Sequence, residues 1–171
     1  PAPKQPVDVT IKTEDGTVLA QFKTPLPIPK VSPKEPSRLL TADENELTTE
    51  EKYLKALKLD LATNRIQARK QYEKVLADEP GFSKALLGLA ILDFEAGLYK
   101  DALEKLEKAL QRNANDGIAW YFKGTCCLEL NELQQALDAA AKAGRCFGTE
   151  SLGRDLAGRA YMKLGEYDNA V

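Results

Sequence analysis

Protein catalysis usually starts from a nucleophile beside a base, and of the nucleophiles in this chain the thiols are the most reactive. Cys126, Cys127 and Cys146 are present, but there is no histidine anywhere. Without histidine there is neither the commonest general base nor the commonest metal ligand, and no Cys-His or Ser-His pair can form within the chain. Adjacent Cys126 and Cys127 leave a helix in different directions, and no CxxC spacing occurs. An odd count without a framework points to reduced, apolar thiols in a non-oxidising, cytoplasmic setting. Carboxylates are plentiful, yet no P-loop, dinucleotide fingerprint or EF-hand loop accompanies them. Pairs such as Glu104 with Lys108 have the favourable i, i+4 order on a solvated helix face, where each is worth a few tenths of a kcal/mol.

Charge narrows the partners. Lys and Arg total 24 against 26 for Asp and Glu, a net charge of −2, which gives no electrostatic case for nucleic acid or an anionic membrane. Arg65, Arg69 and Lys70 are close together, but Glu73 and Asp78 share their helix, so that face reads as solvated. No apolar run approaches the ~20 residues that span a bilayer. The expectation is a stretch without catalysis, cofactor or metal, in which recognition is the remaining function.

The elements that would position a recognition surface follow from a period. The pattern of Ser83–Asp116, two amphipathic helices around Ala96-Gly97-Leu98, repeats with a shift of 34 residues and no gap. Gly97 falls on Asn131 and Gly165, Tyr99 on Leu133 and Tyr167, and Ala102 on Ala136 and Ala170; one period earlier stand Thr63, Arg65 and Ala68. Such a period signals stacked supersecondary units that bury a continuous core together. Gly or Asn at the equivalent turn positions suits a left-handed helix stop; in the first unit Asn64, beside Thr63, is expected to take that role. Thr48-Thr49-Glu50-Glu51 fits a capping box that starts the first helix. Helix pairs are expected from Thr48 to about Ala77, at 83–96 with 99–112 and at 117–130 with 133–146, with a last helix near 151–163.

These residues resemble the tetratricopeptide repeat, a helix-turn-helix unit of the same length. Its small eighth residue matches Ala56, Ala90, Gly124 and Gly158, and its small twentieth matches Ala68, Ala102, Ala136 and Ala170. Tyr72 and Leu106 match the bulky twenty-fourth position, and Pro80 stands where a repeat closes. Lys123, Asp93, Ala140 and Ala114 depart from the pattern. The resemblance implies an all-α solenoid of helical hairpins, about three and a half repeats over 48–171 (49–82, 83–116, 117–150 and a shortened 151–171). It also implies that first helices line a concave groove. The residues falling there include an apolar strip of Tyr53, Leu57, Leu87, Ile91, Phe94, Tyr121 and Leu128. The basic clamp by which some members hold chaperone tails is missing, since Tyr53, Leu57, Gly88, Ile118 and Phe122 occupy its positions.

Ahead of the repeats, residues 7–13 and 17–23 alternate apolar and polar around Glu14-Asp15-Gly16, a hairpin signal. Residues 1–24 are therefore expected as a β-hairpin, the tail of an upstream β domain, and 25–47 as a proline-rich, acidic linker with Pro25, Pro27, Pro29, Pro33 and Pro36. This junction loosely resembles large bacterial proteins that join a β-rich domain of unknown function to C-terminal tetratricopeptide repeats. The chain accordingly reads as a fragment. The function expected is a protein-interaction scaffold whose groove takes a peptide, a protein segment, or its own upstream part, with Leu26, Ile28 or Phe22 against residues beyond 48. The alternative is an accessory repeat region of a carbohydrate-active enzyme. Weak self-association through the C-terminal end is also expected.

Overall fold

The computed structural model describes residues 7–24, 43 and 46–170. The expected contacts of Leu26 and Ile28, and the whole proline-rich stretch, lie outside them. The chain divides into two units, Pro1–Pro36 and Ser37–Val171.

In the first unit, β1 (Val7–Lys12) pairs antiparallel with β2 (Val18–Thr24). Val9 faces Phe22 and Ile11 faces Ala20, so the apolar residues share a face, and a register shift follows at Ile11/Lys12. The connection is a three-residue loop. The Gly16 amide donates to the Thr13 carbonyl at 3.0 Å and the Thr13 amide to the Thr17 carbonyl at 2.9 Å. Gly16 takes φ 88°, the left-handed residue that a three-residue hairpin requires. The Asp15 carboxylate accepts from the Thr13 hydroxyl and the Thr17 amide, which hold it below its ordinary range.

The second unit is a helical array: α1 (Thr49–Leu61), α2 (Arg65–Asp78), α3 (Ser83–Glu95), α4 (Tyr99–Arg112), α5 (Gly117–Glu129), α6 (Leu133–Ala143) and α7 (Glu150–Leu164), then a 3-10 turn at Tyr167–Asn169. The capping box is present: the Thr48 hydroxyl accepts the Glu51 amide at 3.3 Å and the Glu51 carboxylate accepts the Thr48 amide at 3.0 Å. Each hairpin packs within itself and against the next first helix, and successive first helices α1, α3, α5 and α7 touch in turn. Three core clusters follow, each bridging two successive repeats, around Tyr72, Leu106 and Leu156. Ala56, Ala68, Ala90, Ala102 and Ala136 are fully buried, the small residues that let paired helices close.

The four turns inside the repeats use one device. The amides of Thr63, Gly97, Asn131 and Gly165 donate to the carbonyls of Asp60, Phe94, Leu128 and Met162, and the next amide in each reaches one residue further back. This is the Schellman stop, whose key residue is left-handed. Glycine fills it twice, with φ 76° and 78°, and Asn131 once with φ 63°. The first turn corrects the expectation from sequence. Thr63 itself adopts φ 60°, while Asn64 caps α2 by accepting the Gln67 amide at 3.3 Å. The Schellman bonds impose that conformation on a β-branched residue, which costs about 1–2 kcal/mol. Thr63→Gly should therefore raise unfolding free energy by about 0.5–1 kcal/mol once glycine's entropy is deducted. Urea denaturation checks it, and a loss of stability would refute the imposed strain.

α6 stops at Ala143, three residues before the expected end. Gly144 follows as its cap, and Cys146 lies in the succeeding turn. Ala140, where the repeat pattern calls for bulk, is 2% exposed because α6 and α7 meet there almost backbone to backbone.

Candidate functional site

The residues named for the strip lie on the first helices and differ in how they are held. Tyr53 on α1 is half-buried, its ring 5.4 Å from Phe82 and 6.1 Å from Tyr72. On α3, Leu87, Ile91 and Phe94 are half-buried. Phe94 lies 5.6 Å from Tyr99 and meets Phe122 edge-on at 5.6 Å; Phe122 in turn meets Tyr121 edge-on at 5.5 Å. The sequence reading did not place Phe122 or Phe82 in the strip, yet their rings hold its aromatic members. Leu57 is also half-buried. Leu128 is different: at 1% exposure it belongs to the third core cluster, and its carbonyl accepts Lys163 Nζ at 2.8 Å. It offers no side-chain surface to a partner, because the following first helix covers it.

Tyr72 shows how the strip is supported from beneath. A Cβ added to Gly88 would come within 2.6 Å of its ring, so this glycine makes room for the tyrosine. The Tyr72 hydroxyl donates to Asp60 at 3.2 Å. Burial, then the Asp60 charge, pushes this phenol up, and the same two causes push Tyr53 up.

Between the first two repeats one carboxylate is buried and draws Arg69 away from the solvated face expected for it, while Arg65 stays on that face, 46% exposed. Arg65 pairs with Asp60 and reaches Glu95 at 2.8 Å. Asp93, 1% exposed, receives Arg69 Nη2 at 2.7 Å on one oxygen and Lys105 Nζ at 2.7 Å on the other. The second contact is an ion pair without hydrogen-bond alignment. Asp93 replaces the usual aromatic of its repeat position and joins three successive helices by charge.

The thiols pack. Cys126 and Cys127 are fully buried, and burial, then the neighbouring thiol, pushes Cys126 up to about 12. Cys127 is raised by burial and then by Glu132. Native protein at mild alkaline pH should therefore show Cys146 reacting first with a disulfide reagent, with the other two protected until unfolding. The sign for stability follows: a thiol raised in the folded state favours folding below its unfolded pKa near 9. That contribution is lost as pH rises from there toward about 12. Chemical denaturation across this window should show falling stability; no fall would mean the thiols reach water. Among the described residues no cluster of three metal-ligating side chains occurs, and no helix is long and apolar enough to cross a membrane.

One cleft has no counterpart in the sequence reading. Roughly 660 Å³ in volume, it is lined by Ala114, Asn115, Trp120, Lys142, Arg145, Cys146 and Phe147. The signal that could have found it is the chain's single tryptophan, one helical step from Tyr121.

Comparison with known proteins agrees with the repeat architecture. The family described as anaphase-promoting complex, cyclosome, subunit 3 matches residues 67–143. A crystal structure of MamA is similar at 28% identity and TM-score 0.61, over 67% of this chain and 67% of that one. MamA 41-end from Desulfovibrio magneticus RS-1 is similar at 21% identity and TM-score 0.66, over 74% and 71%. YrrB, described as a TPR protein with an unusual peptide-binding site, is similar at 22% identity and TM-score 0.69, over 78% and 70%. No curated protein matches the sequence.

Proposed function

We propose that this tetratricopeptide-repeat chain is a protein-interaction scaffold whose first helices hold an extended apolar peptide segment. The fold and the similarity to a peptide-binding repeat protein support the general reading. The observation that carries the specific one is the row of Phe94, Phe122 and Tyr121, edge-on to one another, packed on the core and each still partly open to solvent. Aromatic rings fixed by their neighbours present contact area with little rotamer entropy left to lose. Apolar surface concentrated on one face marks an interaction site.

The test is binding of a labelled apolar peptide library to the chain and to Phe94→Ala/Tyr121→Ala. Selected peptides should bind the double variant about tenfold or more weakly, as loss of anchoring aromatics does at other interfaces. Equal binding would remove the strip from the proposal. Deleting residues 1–38 and measuring uptake of a hydrophobic dye addresses an occupant supplied by the chain itself. A rise in uptake would favour that occupant, and unchanged uptake would discard it.

A further inference from the structure

The cleft beside Trp120 lies apart from the strip, because adjacent helical residues point about 100° apart and Trp120 faces α6 where Tyr121 faces Phe122. Its indole is fixed: Nε1 donates to the Ala114 carbonyl at 2.8 Å, and Lys142 Nζ stands 4.2 Å over the ring. The loop after α6 is fixed too. Thr149, nearly buried, donates its hydroxyl to the Ala143 carbonyl at 2.8 Å and is also 3.1 Å from the Cys146 carbonyl. It sits so close to Gly117 that a Cβ there would fall 1.9 Å from its hydroxyl. From this pinned loop Phe147 projects with its side chain wholly in solvent, at 102% exposure.

A phenylalanine held out in water on a tied loop has no role in the core of the repeats. Beside it, Lys142 and Arg145 are exposed, and among the described residues neither has a carboxylate partner. The lining contains no acid. Asp116, next to Asn115, has its carboxylate engaged by the Ala119 amide at 3.0 Å. A cleft with two unpaired cations and two aromatic walls, on a chain of net charge −2, selects by charge and by apolar contact together.

The geometry points to a second interaction site, at Trp120, Lys142, Arg145 and Phe147, that takes an acidic peptide segment carrying an aromatic or aliphatic side chain. The carboxylates meet Lys142 and Arg145, and the apolar side chain enters between Trp120 and Phe147. Because the loop and indole are already fixed, little ordering opposes binding. Two cations are too few for a nucleic-acid backbone, whose binding rests on many phosphate contacts.

The experiment uses the chain's single tryptophan as a reporter. A short labelled peptide alternating Glu and Phe is titrated by anisotropy, with Trp120 emission recorded alongside. Expected are saturable binding, a change in Trp120 emission, and weakening with salt. Lys142→Glu/Arg145→Glu and, separately, Phe147→Ala should each weaken binding by about tenfold or more; all three positions are exposed, and unchanged melting confirms their folding. Phe94→Ala/Tyr121→Ala should leave this binding intact, so the two sites fail or stand separately. The proposal is overturned by absent binding, by undiminished binding to the charge-reversed variant, or by equal affinity for the Lys-for-Glu peptide. It is equally overturned if the Ala-for-Phe peptide or a single-stranded oligothymidylate binds as well, since the site would then read negative charge alone.

Discussion

Removing the two cations from around Asp93, as Arg69→Met/Lys105→Met, is expected to cost about 3–5 kcal/mol of unfolding free energy, measured in urea. The carboxylate is 1% exposed and cannot turn toward water, so without Arg69 and Lys105 it becomes a buried, unpaired charge. Asp93→Ala should cost much less. The side chains of Arg69 and Lys105 are 34% and 28% exposed, and long aliphatic stems let their charged ends reach solvent once the anion is gone. The order of the two variants therefore tests the cause, since simple loss of contacts would make them equal. Asp93→Leu added to the cation-free variant should then recover most of the loss, because well-packed apolar groups replace a buried ion cluster at little or no cost. A cation-free variant as stable as the parent would show that Asp93 is solvated.

Asp93 also shows where the sequence was legible and where it was not. The 34-residue period placed every helix pair, because small residues at the helix crossings and left-handed turn positions depend on local geometry that repeats. The same alignment marked Asp93 as a departure, but what compensates it lies on α2 and α4, and a period cannot show a contact between repeats. Arg69 escapes the sequence for that reason: on its own helix it looks like part of a solvated face, and only Asp93 on α3 draws it in, whereas Arg65 stays exposed. Thr63 was passed over in favour of Asn64 on intrinsic preference, and the Schellman bonds of α1 override that preference. Leu128 met the positional rule for the strip but lies deep enough to be covered by α7. The cleft at Trp120 was invisible because Phe147 gains meaning only from Thr149 and Gly117, which fix its loop.

Gly153→Ala is expected to cost about 3 kcal/mol, the upper part of the range for overpacking, although it adds one methyl group. That methyl would lie 2.5 Å from the Gly144 nitrogen, 2.6 Å from its Cα and 2.7 Å from the Ala140 carbonyl oxygen. All three obstacles are main chain, so no rotamer change can relieve them and α6 must separate from α7. Gly144 is the control from the other side of the same crossing. A Cβ there meets the Ala140 oxygen at 3.3 Å and Gly153 Cα only at 4.0 Å, and its backbone is right-handed helical, with φ −68°. Gly144→Ala should thus stay within about 1 kcal/mol of the parent. Because each repeat is stabilised mainly by its neighbour, the damage in Gly153→Ala should be local. Hydrogen exchange should show α7 losing protection while α1 to α4 keep theirs. Uniform loss of protection along the array would mean that the repeats unfold as one unit. Equal costs at Gly144 and Gly153 would mean that the two helices do not cross as closely as their backbones indicate.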